Sequence, residues 1–132
     1  MATYNKFNAW AETMVQAANL ATDQFTLALS NSAPVAANSV LADITQISYT
    51  NLSARNFTTA SSSQTGGIYT LTLNDLVLTA TGAVAAFQYA VLYDSTVAGS
   101  PLVGWWDYGS SITMANAETF TVDFTGAAIT LS

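Results

Sequence analysis

Ten of the chain's 132 residues are charged at neutral pH: Lys6, Arg55 and eight carboxylates, for a net charge of −6. Two cations cannot neutralise a run of phosphates or dock on anionic lipid, so the expectation is a protein that binds neither nucleic acid nor membrane. Cysteine and histidine are both missing, which removes disulfides, thiolate metal sites and the usual general base at neutral pH.

The first element is a helix expected over residues 6–19. Phe7, Trp10, Ala11, Met14, Val15 and Ala18 fall on one face of a 3.6-residue period, with Asn5 as its cap. From Gln24 the period drops to two, with Phe25, Leu27 and Leu29 on the inner side of a strand. Pro34 ends it. Residues 40–47 read as a short helical turn capped by Ser39, with Leu41, Ile44 and Ile47 inward. Residues 51–67 are rich in serine and threonine and suit an edge strand followed by a loop ending at Gly66-Gly67. Residues 68–73 and 76–80 then flank Asn74-Asp75, which predicts a hairpin pairing Leu73 with Leu76, Leu71 with Leu78 and Tyr69 with Ala80.

Residues 87–93 are apolar on both faces, as a central strand is. A loop over 94–101, a strand over 102–108 and a short segment over 112–114 follow. Phe120, Val122 and Phe124 mark another strand, and Thr125-Gly126 turns the chain into a last one with Ile129 and Leu131 inward. About eight short strands predict a mainly β fold: an antiparallel β-sandwich or jelly-roll-like barrel with one N-terminal amphipathic helix. The length suits one domain over residues 1–132, helical over 6–19 and β-rich over 24–132. No secretory signal opens the chain, and Met1-Ala2-Thr3 reads as the start of an untargeted product.

Catalytic patterns are sparse. Without histidine, a serine nucleophile has only Lys6 or a carboxylate as base, and no serine–lysine motif surrounds Lys6. Glu12, Asp23, Asp43, Asp75, Asp94, Asp107, Glu118 and Asp123 fall largely in turns and caps, where aspartate serves the local backbone. Asp94, Ser95 and Thr96 offer calcium-type oxygens but lack the D-x-D-x-D-G arrangement. Gly66-Gly67 and Gly99 lack the spacing and lysine of a phosphate loop. Asn51-Leu52-Ser53 and Asn56-Phe57-Thr58 match the glycosylation pattern by chance in so Ser/Thr-rich a chain. The expectation is a protein that is not an enzyme and uses no cofactor or metal.

Residues 101–111, Pro-Leu-Val-Gly-Trp-Trp-Asp-Tyr-Gly-Ser-Ser, are the most distinctive run. Adjacent tryptophans on a strand point to opposite faces. Three readings stay open: one ring in the core and the other shielded by the helix or a loop; a buried subunit contact; or a sugar-stacking platform with Tyr108. The candidate interface or ligand-stacking residues are Trp105, Trp106, Tyr108 and Tyr93. Asp107 is placed to accept from the amides of the Gly109-Ser110 turn.

Residues 88–94 (QYAVLYD), 102–111 (LVGWWDYGSS) and 118–124 (ETFTVDF) together resemble small virion proteins of tailed bacteriophages, and residues 27–34 and 41–45 fit the same pattern. The resemblance implies a β-rich structural subunit present in many copies, with no catalytic residues to carry over. The expectation is a capsid decoration or cement protein on the virion, made in the host cytoplasm. It would bind the major capsid protein, or other virion proteins, as a homo-oligomer. A neck, tail or fibre component, or a carbohydrate-binding module on the host surface, are the alternatives. A typical soluble domain is about a quarter charged, against 8% here, so the exterior is suited to being covered by neighbouring protein.

Overall fold

The two longest strands, β6 (Val84–Asp94) and β7 (Leu102–Met114), pair antiparallel and form the spine of the molecule. β1 (Thr3–Lys6) lies against β7 and β2 (Phe25–Ser30) against β6, giving a four-stranded sheet in the order β1-β7-β6-β2. The computed structural model describes residues 3–124 and 128–131. A three-stranded sheet joins β3 (Thr59–Thr65), β4 (Ile68–Leu73) and β9 (Ile129–Leu131). A two-stranded one pairs β5 (Leu76–Thr79) with β8 (Thr119–Val122). With a single short helix, α1 (Trp10–Gln16), among the described residues, the chain is mainly β with antiparallel sheets, consistent with a β-sandwich. No described helix is long and apolar enough to cross a membrane.

Alternation, interrupted on β7 by a register shift at Val103, sorts the four-stranded sheet's side chains between two faces. Phe25, Leu27, Leu29, Ala90, Leu92 and Val103 enter the larger core, where they meet Trp10 of α1, Leu71 and Leu73 of β4, Leu78 of β5 and Val122 of β8. Ala28, Val91, Tyr93, Leu102 and Trp105 enter a smaller core on the opposite face, closed by Phe7 and Ile44, with Leu41 and Ala36 packed against it. Both faces of β2 are therefore covered, and all six of its residues are buried. Each fully buried leucine or phenylalanine contributes about 1.5–3 kcal/mol relative to exposure.

The helix is shorter than residues 6–19. Residues 3–6 pair with β7 instead, placing Asn5 opposite Trp105 in the sheet, so Asn5 is not a helix cap. Phe7 donates its N–H to the Val103 carbonyl and buries its ring in the smaller core, off the helix altogether. Val15 is 74% exposed. Ladder hydrogen bonds and a second buried face outweigh helical periodicity for residues 3–7, since a helix terminus gains little from propensity alone.

The hairpin across Asn74-Asp75 does not form. β4 pairs with β3 and β9, whereas β5 pairs with β8, so Leu71 and Leu78 share the core without facing each other in a ladder. The tight turn lies one strand earlier. Gly66 and Gly67 both adopt positive φ, 59° and 85°, and join β3 to β4; the edge strand expected in residues 51–67 is β3, which runs up to the glycines in place of the expected loop. Asn74 and Asp75 keep negative φ. Asn74 N–H donates to Thr58 O, and Asp75 Oδ1 accepts from Phe124 N–H, so this dipeptide passes the chain from one sheet to the next. Two consecutive positive-φ residues are what a two-residue hairpin demands, and glycine supplies them without a Cβ penalty.

Smaller differences have similar causes. The expected segments 102–108 and 112–114 are one strand, β7, whose pairing with β6 shifts register around Gly109, at φ 83°. The turn over 40–47 is a single 3-10 turn, Leu41–Asp43. Its cap is the Asp43 carboxylate, which accepts from the N–H groups of Ser39 (2.9 Å) and Val40 (3.3 Å). Ile129 is buried, but Leu131, on the same side of β9, runs past the core and is 43% exposed. The expected Thr125-Gly126 turn lies outside the described residues.

Candidate functional site

The four aromatic candidates divide two and two across the sheet. β6 and β7 set Val91 opposite Trp105 and Ala90 opposite Trp106, so strand alternation sends the tryptophans to opposite faces. Trp105 is 9% exposed in the smaller core, its ring 4.5 Å from that of Phe7. Tyr93, 7% exposed, lies in the same core. Trp106 and Tyr108 are half-buried against the larger core.

On that side the rings run in two chains. Trp106 sits between Tyr4, at 5.2 Å, and Phe124, at 5.6 Å and edge-on, and Phe124 in turn meets Phe57. Tyr108 meets Phe120 edge-on at 5.0 Å, and Phe120 meets Phe87. Such tilted and edge-on pairs place the ring edge of one residue against the face of the next. Both candidate rings are thus already packed against other rings of the same chain. Burial pushes the phenols of Tyr4 and Tyr108 up to about 12, so both stay neutral donors. Asp107 Oδ1 accepts from Gly109 N–H at 2.8 Å, as expected for the turn, and also from Gln88 Nε2 at 3.0 Å. Those bonds, Gln88 first, lower its carboxyl below the ordinary value.

Sequence reasoning did not find the surface where apolar side chains gather. Met14, Ala18, Leu20, Tyr69 and Leu131 line a shallow groove of about 440 Å³ between the end of α1 and the β3-β4-β9 sheet. On the other side of Met14 a smaller cleft of about 210 Å³ is lined by Tyr4, Lys6, Trp10, Ile129 and Thr130. On the same elements, Ile68 of β4 is 49% exposed and Val15 of α1 is 74% exposed. The signal available in the sequence was the apolar stripe of α1. A helix of seven residues buries only Trp10 fully, which leaves the rest of the stripe at the surface.

Apart from Asp94 Oδ2, the side-chain oxygens of the Asp94-Ser95-Thr96 loop are engaged internally. Asp94 Oδ1 accepts from Thr96 and Val97 N–H, Thr96 Oγ1 accepts from Gln24 N–H, and Ser95 Oγ donates to the Gln24 carbonyl. Among the described residues no three acidic side chains converge as metal ligands. Arg55 donates to the Leu27 carbonyl and stacks over the Tyr49 ring at 3.6 Å, so one of the two cations is a structural clamp. Comparison with protein-family models, with curated proteins and with solved structures finds no match.

Proposed function

We propose that this chain is a non-enzymatic structural protein of a bacteriophage particle, a capsid decoration protein that binds the major capsid protein as a homo-oligomer and stabilises the head. The observation that carries the reading is the exterior: almost uncharged, yet bearing exposed Tyr4, Val15, Val35, Ile68, Val77 and Leu131. Covering such surface gains about 25 cal/mol per Å² of apolar area. Few charges are stripped of water in the process, so little of that gain is lost to desolvation. The shallow groove beside α1 supplies contact area of low relief, which suits protein better than a small molecule. The resemblance of residues 88–94, 102–111 and 118–124 to small virion proteins supports the same reading. The packing of Trp106 and Tyr108 against other rings of the chain and the larger core speaks against an open sugar platform there.

The test is quantitative mass spectrometry of purified particles that contain this chain's gene, before and after washing at ~1 M salt, where the screening length falls to about 3 Å. The expected result is a fixed ratio to the major capsid protein that the wash leaves unchanged. Absence from the particle, or removal by salt, overturns the proposal. Cryo-EM density would separate a position on the head from one at the neck, tail or fibre.

A further inference from the structure

Asp94 closes β6 with a side chain that is fully buried, and Asp23, just before β2, is 9% exposed. The β2–β6 register sets Phe25 opposite Asp94, which brings the two carboxyl groups into contact. Asp94 Oδ1 is satisfied by the N–H groups of Thr96 (3.0 Å) and Val97 (3.4 Å). Asp23 Oδ2 accepts from Asn19 N–H at 3.0 Å. Asp94 Oδ2 is buried and meets no N–H or hydroxyl donor. The one partner left for it is the Asp23 carboxyl, and two ionised carboxylates repel at that range.

Among the described residues no cation relieves this pair. The charged group acting on Asp94 is Asp23 itself, and the other contributors are the backbone of Thr96 and Val97. β2 presents Phe25, and the loop after β6 presents neutral Ser95, Thr96 and Val97. Calcium takes 6–8 oxygens, and no third acidic residue converges here among the described residues. A proton is the smallest positive charge that satisfies both oxygens.

We infer that Asp94 and Asp23 share one proton, and that this shared proton is a latch holding the β6–β7 loop against the turn before β2. The structure on both sides is built to report its loss. Ser95 N–H and Oγ donate to Gln24 O, Gln24 N–H donates to Thr96 Oγ1, and Ser95 Oγ lies 2.9 Å from Thr26 Oγ1, so the bonds that tie this end of the loop to the turn and to β2 sit beside the pair. The loop's far end carries the fixing bonds of the 3-10 segment, Leu41 N–H to Ser100 O and Leu102 N–H to Ser39 O. Repulsion after proton loss therefore opens residues 94–97 first. Burial, then Asp23, pushes the Asp94 carboxyl up to about 7 from an ordinary 3.8. A raised folded value means the native state holds the proton longer than the unfolded one. The stabilisation is present in full below the ordinary carboxylate range, declines as pH rises from there, and is gone once pH passes about 7.

The experiment is carbon-detected NMR of the aspartate carboxyls, with amide exchange at Thr96 and Val97, on the full chain from about pH 5 to about pH 8. Exchange is corrected for its intrinsic base catalysis. The expected result is one carboxyl titrating near neutrality and a roughly tenfold loss of protection at the two amides across that step. D94N keeps the Oδ1 acceptor and supplies an amide donor toward Asp23, and should abolish the step. D23N offers a donor to Asp94 Oδ2 and should also abolish it, which keeps the test decisive if either variant fails to fold. A wild-type pair that titrates wholly in the ordinary acid range overturns the inference. So does a step that persists in the folded variants, or protection that calcium ion restores at the upper pH.

Discussion

The Tyr4 ring lies over Gly104 so closely that any β-carbon on that glycine would collide with the phenol end of the ring. Lys6 is the ladder partner of Gly104 and Tyr4 that of Trp106, so the tyrosine leans along β1 into the space the missing side chain leaves. Gly104→Ala should expel the ring from its contact with Trp106 and destabilise the fold by about 1–3 kcal/mol. Denaturant unfolding of G104A, Y4A and the double variant checks this. The double variant should be more stable than the sum of the single losses implies, because Y4A removes the group that clashes.

The tryptophans should differ in cost. Trp105 fills the smaller core against Phe7, so Trp105→Ala should lose about 3–5 kcal/mol. Trp106 is half-buried at the sheet's other face, and Trp106→Phe, which keeps a ring between Tyr4 and Phe124, should cost less than about 1.5 kcal/mol. Unfolding midpoints measured at constant m-value separate the two. Equal losses would show that the faces are not packed as described.

Turn chemistry should be just as asymmetric. Gly67 sits at φ 85°, where a side chain is strained, so Gly67→Ala should cost about 1–2 kcal/mol. Gly66→Asn, at φ 59°, should be nearly neutral, since asparagine tolerates that region. Replacing Asn74 by glycine relieves no strain, because its φ is negative, and should cost roughly 0.5–1 kcal/mol through backbone entropy. Thermal unfolding of the three variants provides the ranking.

At the alkaline end, the phenols of Tyr4 and Tyr108 are raised by burial to about 12 from an ordinary 10.0. The folded state keeps protons that the unfolded state releases, so stability should fall as pH climbs between those values. At the acid end the sign reverses. Asp43, held low by the backbone of Ser39 and Val40, and Asp107, held low by Gln88 and Gly109, favour the fold while ionised. Their contribution should fade as pH drops through the ordinary carboxylate range. Ultraviolet phenolate absorbance, recorded beside the circular dichroism of Y108F and the parent chain, tests the alkaline limb. Phenols that ionise near 10.0 in the folded protein would contradict it.

Local pattern determined the class of the fold. Period-two alternation marked β2 and β8, an apolar run on both faces marked β6, and adjacency alone sent Trp105 and Trp106 to opposite faces. The near absence of charge, which carries the functional reading, is likewise a property of composition. Pairing partners were a different matter: 68–73 is equally apolar beside β3 or β5, and the choice fell to the turn whose glycines accept positive φ. The same holds for Asn5 and Lys6, expected as cap and first residue of the helix, because the open edge of β7 offers residues 3–6 a ladder. Only the folded chain brings Asp23 to Asp94, or Leu131 to Met14, since those contacts join segments with no local interaction in sequence and exist once distant strands have set their register.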